Sequence, residues 1–377
     1  MTLTLENTFL LGMVLFWIIV YAVGRIFHTD KHGLSILPFF LTYRSENFKA
    51  AIRKIGEKNR LLWKTLSNAS MALSLGLLIY VTYFLIANLV KFSYATVQSV
   101  PIIPIIPAIT IRLDSLPYFF VAVAVVVVLH ELAHGVSAIA EKVTVKSAGL
   151  ALMLAFFGGF VEPEEQEFER ASKASKVRIV SVGSATNLVS GLLVFVLLLS
   201  LFAPSAGVLV DGTVAGGPLA HAGVGRFDVI TAVNGTGIDS LQGLANVLGN
   251  VTPGAVLNLT VNSNNVSVVT ENVSGHAIIG LSNGLDYHPS RFGLDRVASA
   301  NVYLTFYWTF LAAFSVAVFN MLPAFPFDGE KFLFHLVEDR VGKDRRFSLR
   351  VLISMVFLGL LLANIVLSFV FFGLPRA

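Results

Sequence analysis

The chain has 377 residues, of which 55% are hydrophobic and only 13% charged, with a mean hydropathy of +0.76; this excludes a water-soluble globular domain and describes a multi-spanning membrane protein. The formal charge of +4 is small and its basic residues sit beside apolar runs, so they read as topology signals and imply no nucleic-acid partner. With no cysteine in the chain, disulfides, thiolate-bound zinc and thiol catalysis are excluded, and any metal must be held by histidine and carboxylate.

Crossing a hydrocarbon core of about 30 Å takes roughly 20 apolar residues as helix. Six segments reach or approach that length: Phe9 to Phe27, Ala69 to Val90, Pro117 to Ala140, Val177 to Phe202, Val302 to Leu322 and Val351 to Phe372. The first lacks a basic leader and a small-residue cleavage site, so it reads as a retained helix rather than a signal peptide. Pro101 to Ile111 is apolar but carries three prolines, which predicts an irregular or membrane-dipping loop and not a span. The predicted fold class is therefore an α-helical polytopic membrane protein of about six transmembrane helices with an inserted, mostly-β domain. Lys and Arg crowd His28 to Lys64, Lys142 to Lys176 and Lys331 to Arg350. By the preference of basic residues for the cytoplasmic face, these connections lie inside, and the long region between spans four and five lies outside. The cell membrane is the expected location, with lipid as the solvent.

The outer region, residues 205–285, alternates short apolar runs such as Val229 to Val233 and Val256 to Val261 with Gly, Asn and Pro turns, the pattern of a small β domain. It holds five N-x-[ST] sequences, beginning at Asn234, Asn250, Asn258, Asn265 and Asn272, which weakly support an exterior placement. Its order of elements resembles a PDZ domain, most specifically in the stretch Asp228 to Gly235. That resemblance implies an extended peptide ligand added to a sheet edge; the alternative is a spacer whose groove is closed or unused. The chain then partitions into residues 1–116 with two helices and a basic loop, 117–204, the domain 205–285, 286–345, and a last helix in 346–377.

Span three ends in HELAHG, residues 130–135. Residues four apart share a helix face, so His130 and His134 offer two imidazoles to one metal. Glu131 then points to the side where a water would sit, as in the His-Glu-x-x-His zinc pattern. Zinc suits neutral imidazole, and catalytic sites keep three protein ligands and an open position. Three titratable side chains at membrane depth also call for a compensating partner, since a charge at a helix centre costs about 2.5–3.5 kcal/mol on insertion scales. The candidate third ligand is Asp328 in NMLPAFPFDGEK, residues 320–331, where two prolines break the fifth span and Gly329 permits a tight turn. Spans three and five run in the same direction, so both ligand sets reach the same depth near the cytoplasmic side.

HELAHG, the N-x-x-P…D-G segment at 320–329 and the PDZ-like region between them together resemble the site-2 protease family of intramembrane zinc metalloproteases, over roughly residues 117–345. The resemblance implies one Zn²⁺ on His130, His134 and Asp328, Glu131 as the catalytic acid-base, and transmembrane proteins as substrates in regulated intramembrane proteolysis. Where the family pattern commonly has L-D-G, this chain has Phe327-Asp328-Gly329. It also implies that Asn187 and Asn320 position substrate or stabilise an oxyanion, and the alternative for these is an interhelical hydrogen bond. Gly183, Asn187 and Gly191 fall four apart on span four, a spacing that lets helices approach closely. Residues 151–165 look like the family's membrane-dipping β-hairpin, whose edge would hold an unwound substrate; the alternative is a surface loop followed by an interfacial helix from Glu164 to Lys176. His28 and His32 are also four apart but have no apolar scaffold, and His221, His276, His288 and His335 are isolated; none is expected to be a ligand. Two other classes remain open. One is a catalytically inactive metal-binding scaffold with a peptide-binding domain, and the other a metal-dependent transporter, although no internal repeat of the transporter kind is present.

Overall fold

A computed structural model describes residues 5–27, 33–94, 99–106, 109–154 and 156–373. His28 and His32, and two residues of the proline-rich loop, lie outside the described residues. In chain order the elements are α1 (Leu5–Phe27), β1 (Leu34–Leu37), β2 (Phe40–Arg44), α2 (Glu46–Lys58), α3 (Arg60–Ser93), α4 (Leu116–Ala140), β3 (Val145–Met153), β4 (Phe156–Pro163), α5 (Glu165–Arg170) and α6 (Lys173–Leu201). There follow β5 (Val208–Thr213), α7 (Pro218–His221), β6 (Val229–Val233), β7 (Thr236–Gly237), α8 (Leu241–Leu248), β8 (Val256–Val261), β9 (Asn264–Val269), β10 (Glu271–Val273), β11 (His276–Ile278) and β12 (Leu281–Asp286). The chain closes with α9 (Arg296–Phe319), α10 (Asp328–Val337) and α11 (Arg346–Phe372). Two compact units result, one of Met1–Leu193 with Trp308–Ala377 and the other of Val194–Tyr307.

Among the described residues, five helices are long and apolar enough to cross a bilayer: α3, α6, α9, and the segments Leu113–Ala140 and Lys343–Phe372 that contain α4 and α11. α1 contributes a shorter apolar stretch, Leu11–Phe27. A helix satisfies every interior backbone group within itself, so even the β-branched run Val125 to Val128 stays helical once lipid surrounds it. Pro117 sits in the first turn of α4, where its missing N–H costs nothing.

The basic segment after α1 is more structured than a loop. Ser45 caps α2 by accepting from Phe48 N at 3.2 Å, and Asn59 caps α3 by accepting from Leu62 N at 3.1 Å. α3 therefore starts at Arg60, nine residues before the apolar run that announced it. β1 and β2 form a hairpin that pairs in turn with β3, giving the antiparallel order β1-β2-β3-β4. The register places Phe40 opposite Met153 and Arg44 opposite Gly149. Gly149 is required there, because a Cβ would overlap the backbone of Tyr43. The hairpin anticipated over 151–165 is thus β3–β4, starting earlier at Val145, with β4 as the open edge of a four-stranded sheet. An interfacial helix over Glu164 to Lys176 does not form as one element. α5 ends at Arg170 and α6 begins at Lys173.

Ile52, Val136, Ile139, Val145 and Ile179 pack together and fix α2, α4, β3 and α6 to one another. A second cluster, including Val81, Leu85, Val180, Val318, Leu322 and Phe332, joins α3, α6, α9 and α10. Residues 99–106 form no regular element. Their backbone is held instead by side chains: Asn88 bonds both the N–H and the C=O of Val100, at 2.8 and 2.9 Å, and Ile102 N–H donates to Ser368 Oγ at 2.8 Å. That is how irregular backbone is tolerated among membrane helices.

The second unit is built on an antiparallel sheet in the order β12-β5-β6-β8-β9, with β7 against β6 and a separate β10–β11 pair. Alternation along β8 sends Leu257, Leu259 and Val261 inward and leaves Val256 and Asn258 exposed. The inward residues meet Val208, Ile230, Leu244 and Ile279 in one core.

Candidate active site

The last three turns of α4 carry His130, Glu131 and His134, and the first residue of α10 is Asp328. His130 Nε2 and His134 Nε2 lie 3.1 Å apart, and Asp328 Oδ2 stands 3.1 Å from the first and 3.0 Å from the second. No other group of three or more metal-ligating side chains converges among the described residues.

The tautomers follow from what the other ring nitrogens meet. His134 Nδ1 lies 2.6 Å from the carbonyl oxygen of Ile179; a carbonyl only accepts, so Nδ1 carries the proton and Nε2 presents a lone pair. Asn187 Nδ2 lies 3.0 Å from His130 Nδ1, while Asn187 Oδ1 is buried without a hydrogen-bond partner. Half a turn of that amide sets Oδ1 to accept from Nδ1–H, which satisfies the orphaned oxygen and bares His130 Nε2 as well. Two imidazole lone pairs and a carboxylate oxygen then face one another, a donor set that fits a divalent cation and that repels itself without one. Both asparagines named from the sequence are at the site. Asn320 Nδ2 donates to Asp328 Oδ2 at 2.9 Å and lies 3.1 Å from His130 Nε2.

Glycines make this convergence feasible. A Cβ at Gly183 would overlap His134 Nε2 and the ring of His130, so α6 passes the imidazoles only because it lacks a side chain there. Spacing on α6 marked Gly183 as a helix-packing residue; what it accommodates is the pair of rings. Gly329 does not make a tight turn, as its backbone is helical and has no positive φ. Its Cβ would strike the backbone of Met321. Close approach of α10 to the end of α9, secured by Gly329 N–H donating to Asn320 O at 2.8 Å, is therefore what brings Asp328 back to the histidines.

Glu131 lies between two cavities that share His130 and Asn320. One, of about 420 Å³, adds His134, Asp328 and Lys331 to its lining; the other, of about 360 Å³, is walled by Val127, Gly158, Gly159, Val316 and Phe319. A Cβ at Gly159 would approach Glu131 Cγ and Val127 Cγ1 to 2.9 Å, so β4 runs directly beside the glutamate. Neither Gly159 nor the Ile179 carbonyl was marked by any sequence motif.

A polytopic helical membrane protein whose interior brings two helix-borne imidazoles and a carboxylate to one point, beside a glutamate with no hydrogen bond among the described residues, has the donor set of a metallohydrolase. The model of peptidase family M50 matches residues 118–364, and the chain belongs to that family, the site-2 protease family. Family M50 is zinc-dependent, and membership implies an intramembrane metalloprotease. The chain is also similar to the uncharacterized protein MJ0971 of Methanocaldococcus jannaschii, at 25% identity over 337 residues, covering 87% of this chain and 85% of that one.

Proposed function

We propose that this protein hydrolyses peptide bonds within or near transmembrane segments of other membrane proteins, with His130, His134 and Asp328 holding one zinc ion. The observation that carries this reading is the meeting of three acceptor atoms at 3.0–3.1 Å with a carboxylate beside them. Zinc in such a site supplies Lewis acidity toward a carbonyl and brings the pKa of a water it binds to about 7. The chain supplies the rest. Glu131 accepts the proton of the attacking water and delivers it to the leaving amine. Asn187 fixes the tautomer of His130, and Asn320 holds Asp328; its other N–H, now beside His130 Nε2, would be released toward a developing oxyanion once a metal takes that nitrogen. A substrate helix must unwind to expose its carbonyl, and the open edge of β4 offers it a strand to pair with, directly beside Glu131.

Under this reading α1 is the first of six spans, the basic connections lie in the cytoplasm, and the active site opens toward that side. The second unit is then extracytoplasmic and PDZ-like. Its sheet leaves β12 as an edge beside α8, where Leu241 N–H donates to Asp286 Oδ1 at 2.7 Å. This domain screens substrates by size or binds a newly exposed chain end after a first cut outside the membrane, as regulated intramembrane proteolysis requires.

The test is purified protein with a membrane-protein substrate, assayed as wild type, as Glu131→Gln and after chelation. Wild type is expected to cleave, and the other two to lose activity by about 10²-fold or more, in the range of general acid–base contributions. One zinc per chain, lost in His130→Ala and in Asp328→Ala, is the accompanying expectation. Equal cleavage in all three preparations overturns the reading.

A further inference from the structure

The second unit carries a feature that proteolysis does not use. Residues 205–285 hold nine asparagines, and five of them begin an N-x-[ST] sequence. Ser and Thr make up 12 of these 81 residues, so chance would place one or two. All five of these asparagines, Asn234, Asn250, Asn258, Asn265 and Asn272, are exposed. Of the four outside any such sequence, Asn246 and Asn264 are exposed too, whereas Asn262 and Asn283 are half-buried and hydrogen-bonded by their amide nitrogens to Asp228 and Asp211.

The amide chemistry is also sorted. Asn234 Oδ1 accepts from Asn258 N–H at 2.8 Å, Asn272 Oδ1 from Gly275 N–H at 2.9 Å, and Asn265 Oδ1 from Thr260 Oγ1 at 3.4 Å. In each the oxygen is engaged and the nitrogen, the atom a sugar would be attached to, donates no hydrogen bond among the described residues. Asn258 has both side-chain atoms free in the same sense, and only Asn250 spends its nitrogen, on the carbonyl of Asn246 at 3.0 Å. Two of the sequences face each other across one ladder. Asn258 pairs with Ser267 and Thr260 with Asn265, so each acceptor asparagine stands opposite the hydroxyl residue of the other on the exposed face of β8–β9.

We infer that this domain is N-glycosylated, with Asn258 and Asn265 on the β8–β9 face and Asn234 and Asn272 beyond it as acceptors. This rests on the extracytoplasmic placement of the domain but not on the protease activity. In the reaction the side-chain nitrogen forms a bond to the anomeric carbon of a lipid-phosphate-linked oligosaccharide. The bond from that carbon to the phosphate oxygen breaks, the lipid phosphate leaves with the electron pair, and one amide proton is lost to solvent. The donor and its transferase come from the membrane in which the protein is made. Such glycans would cover β9, an open edge strand flanked by exposed Val256 and Val269. They would thereby block the edge-to-edge pairing that an uncovered strand invites.

The experiment is peptide mapping by mass spectrometry of the full chain purified from its native membrane, with protease accessibility of the domain measured on intact cells. Sugar-bearing peptides at two or more of the four positions, each lost in the matching Asn→Gln variant, are expected. Asn68, in the N-x-[ST] sequence Asn68-Ala69-Ser70 near the start of α3, lies on the side assigned to the cytoplasm and should stay bare. Unmodified asparagines in a domain that external protease digests overturn the inference while the topology stands. Unmodified asparagines in a protected domain overturn both, and neither result touches the metalloprotease reading.

Discussion

Gly183 sets the sharpest requirement at the level of single residues. Its neighbours across the helix interface are the two imidazoles, and a methyl group there has no space except the one the Nε2 atoms occupy. On an isolated helix Gly→Ala stabilises by about 1 kcal/mol. Here the added methyl overpacks the interior, which costs about 1–3 kcal/mol, so Gly183→Ala is expected to lower the thermal midpoint of the apo protein slightly while displacing the rings from their shared point. Displacement by about 1 Å can cost on the order of 10²-fold in rate, and zinc content should fall with activity. Zinc analysis and thermal unfolding on the same preparation check this; full zinc occupancy in the variant would contradict the steric account. The same residue shows what a sequence conveys and what it withholds. His130, Glu131 and His134 were readable because their spacing matches the helix period, and Asp328 because topology put it at their depth. The reason for Gly183 and Gly329 was not readable, since a close approach between elements distant in the chain leaves no local pattern. Gly329 in particular looks like a turn residue until the backbone of Met321 is seen against it.

At the level of elements, α10 carries Asp328 on its first residue, so whatever holds α10 holds the proposed third ligand. Two residues on, the Glu330 carboxylate is buried and meets Arg350 of α11 through two bonds, of 2.5 and 2.8 Å, with the guanidinium also 4.6 Å from the ring centroid of Phe334. Removing only the arginine leaves a buried carboxylate without its counter-charge. For fully buried pairs that costs about 3–5 kcal/mol; Arg350 is partly exposed, so about 2 kcal/mol is the better expectation. Arg350→Met should therefore lower the thermal midpoint and weaken zinc retention, and adding Glu330→Gln should recover part of both. If the double variant is no better than the single, the pair is not what positions α10. The elements that escaped sequence reading were of this long-range kind. The apolar runs gave α3, α4, α6, α9 and α11, because length and hydropathy are local properties. β1 and β2 were hidden in a basic connection, since LSIL and FLTYR are too short to declare themselves and are strands only because β3, more than 100 residues later, completes their ladder.

At the scale of the whole molecule, the question is how a domain of mostly β structure is carried between two helices without disturbing them. Within the second unit, the chain leads into and out of the β-sheet side by side. Ala203 N–H donates to Pro289 O and Ala206 N–H to Tyr287 O, each at 2.9 Å, and Tyr287 N–H returns to Gly207 O at 2.9 Å. Beyond that clasp β5 and β12 pair directly, with Val208 opposite Asp286. The two ends of residues 208–286 are therefore held side by side by hydrogen bonds, and a two-residue Asn-Gly turn, the connection that matches paired antiparallel ends, should replace them without moving α6 or α9. If the domain screens substrates as proposed, the shortened protein keeps its zinc and cleaves pre-trimmed substrates at the wild-type rate. It should also begin to cleave full-length substrates that the intact protein rejects, by about 10-fold or more, the factor that corresponds to losing roughly 1.4 kcal/mol of discrimination. Rates measured on both substrate lengths with both proteins decide the matter. Unchanged rates on both lengths would show that the domain does no screening, and a loss of rate confined to pre-trimmed substrates would show that it captures the new chain end instead of filtering by size.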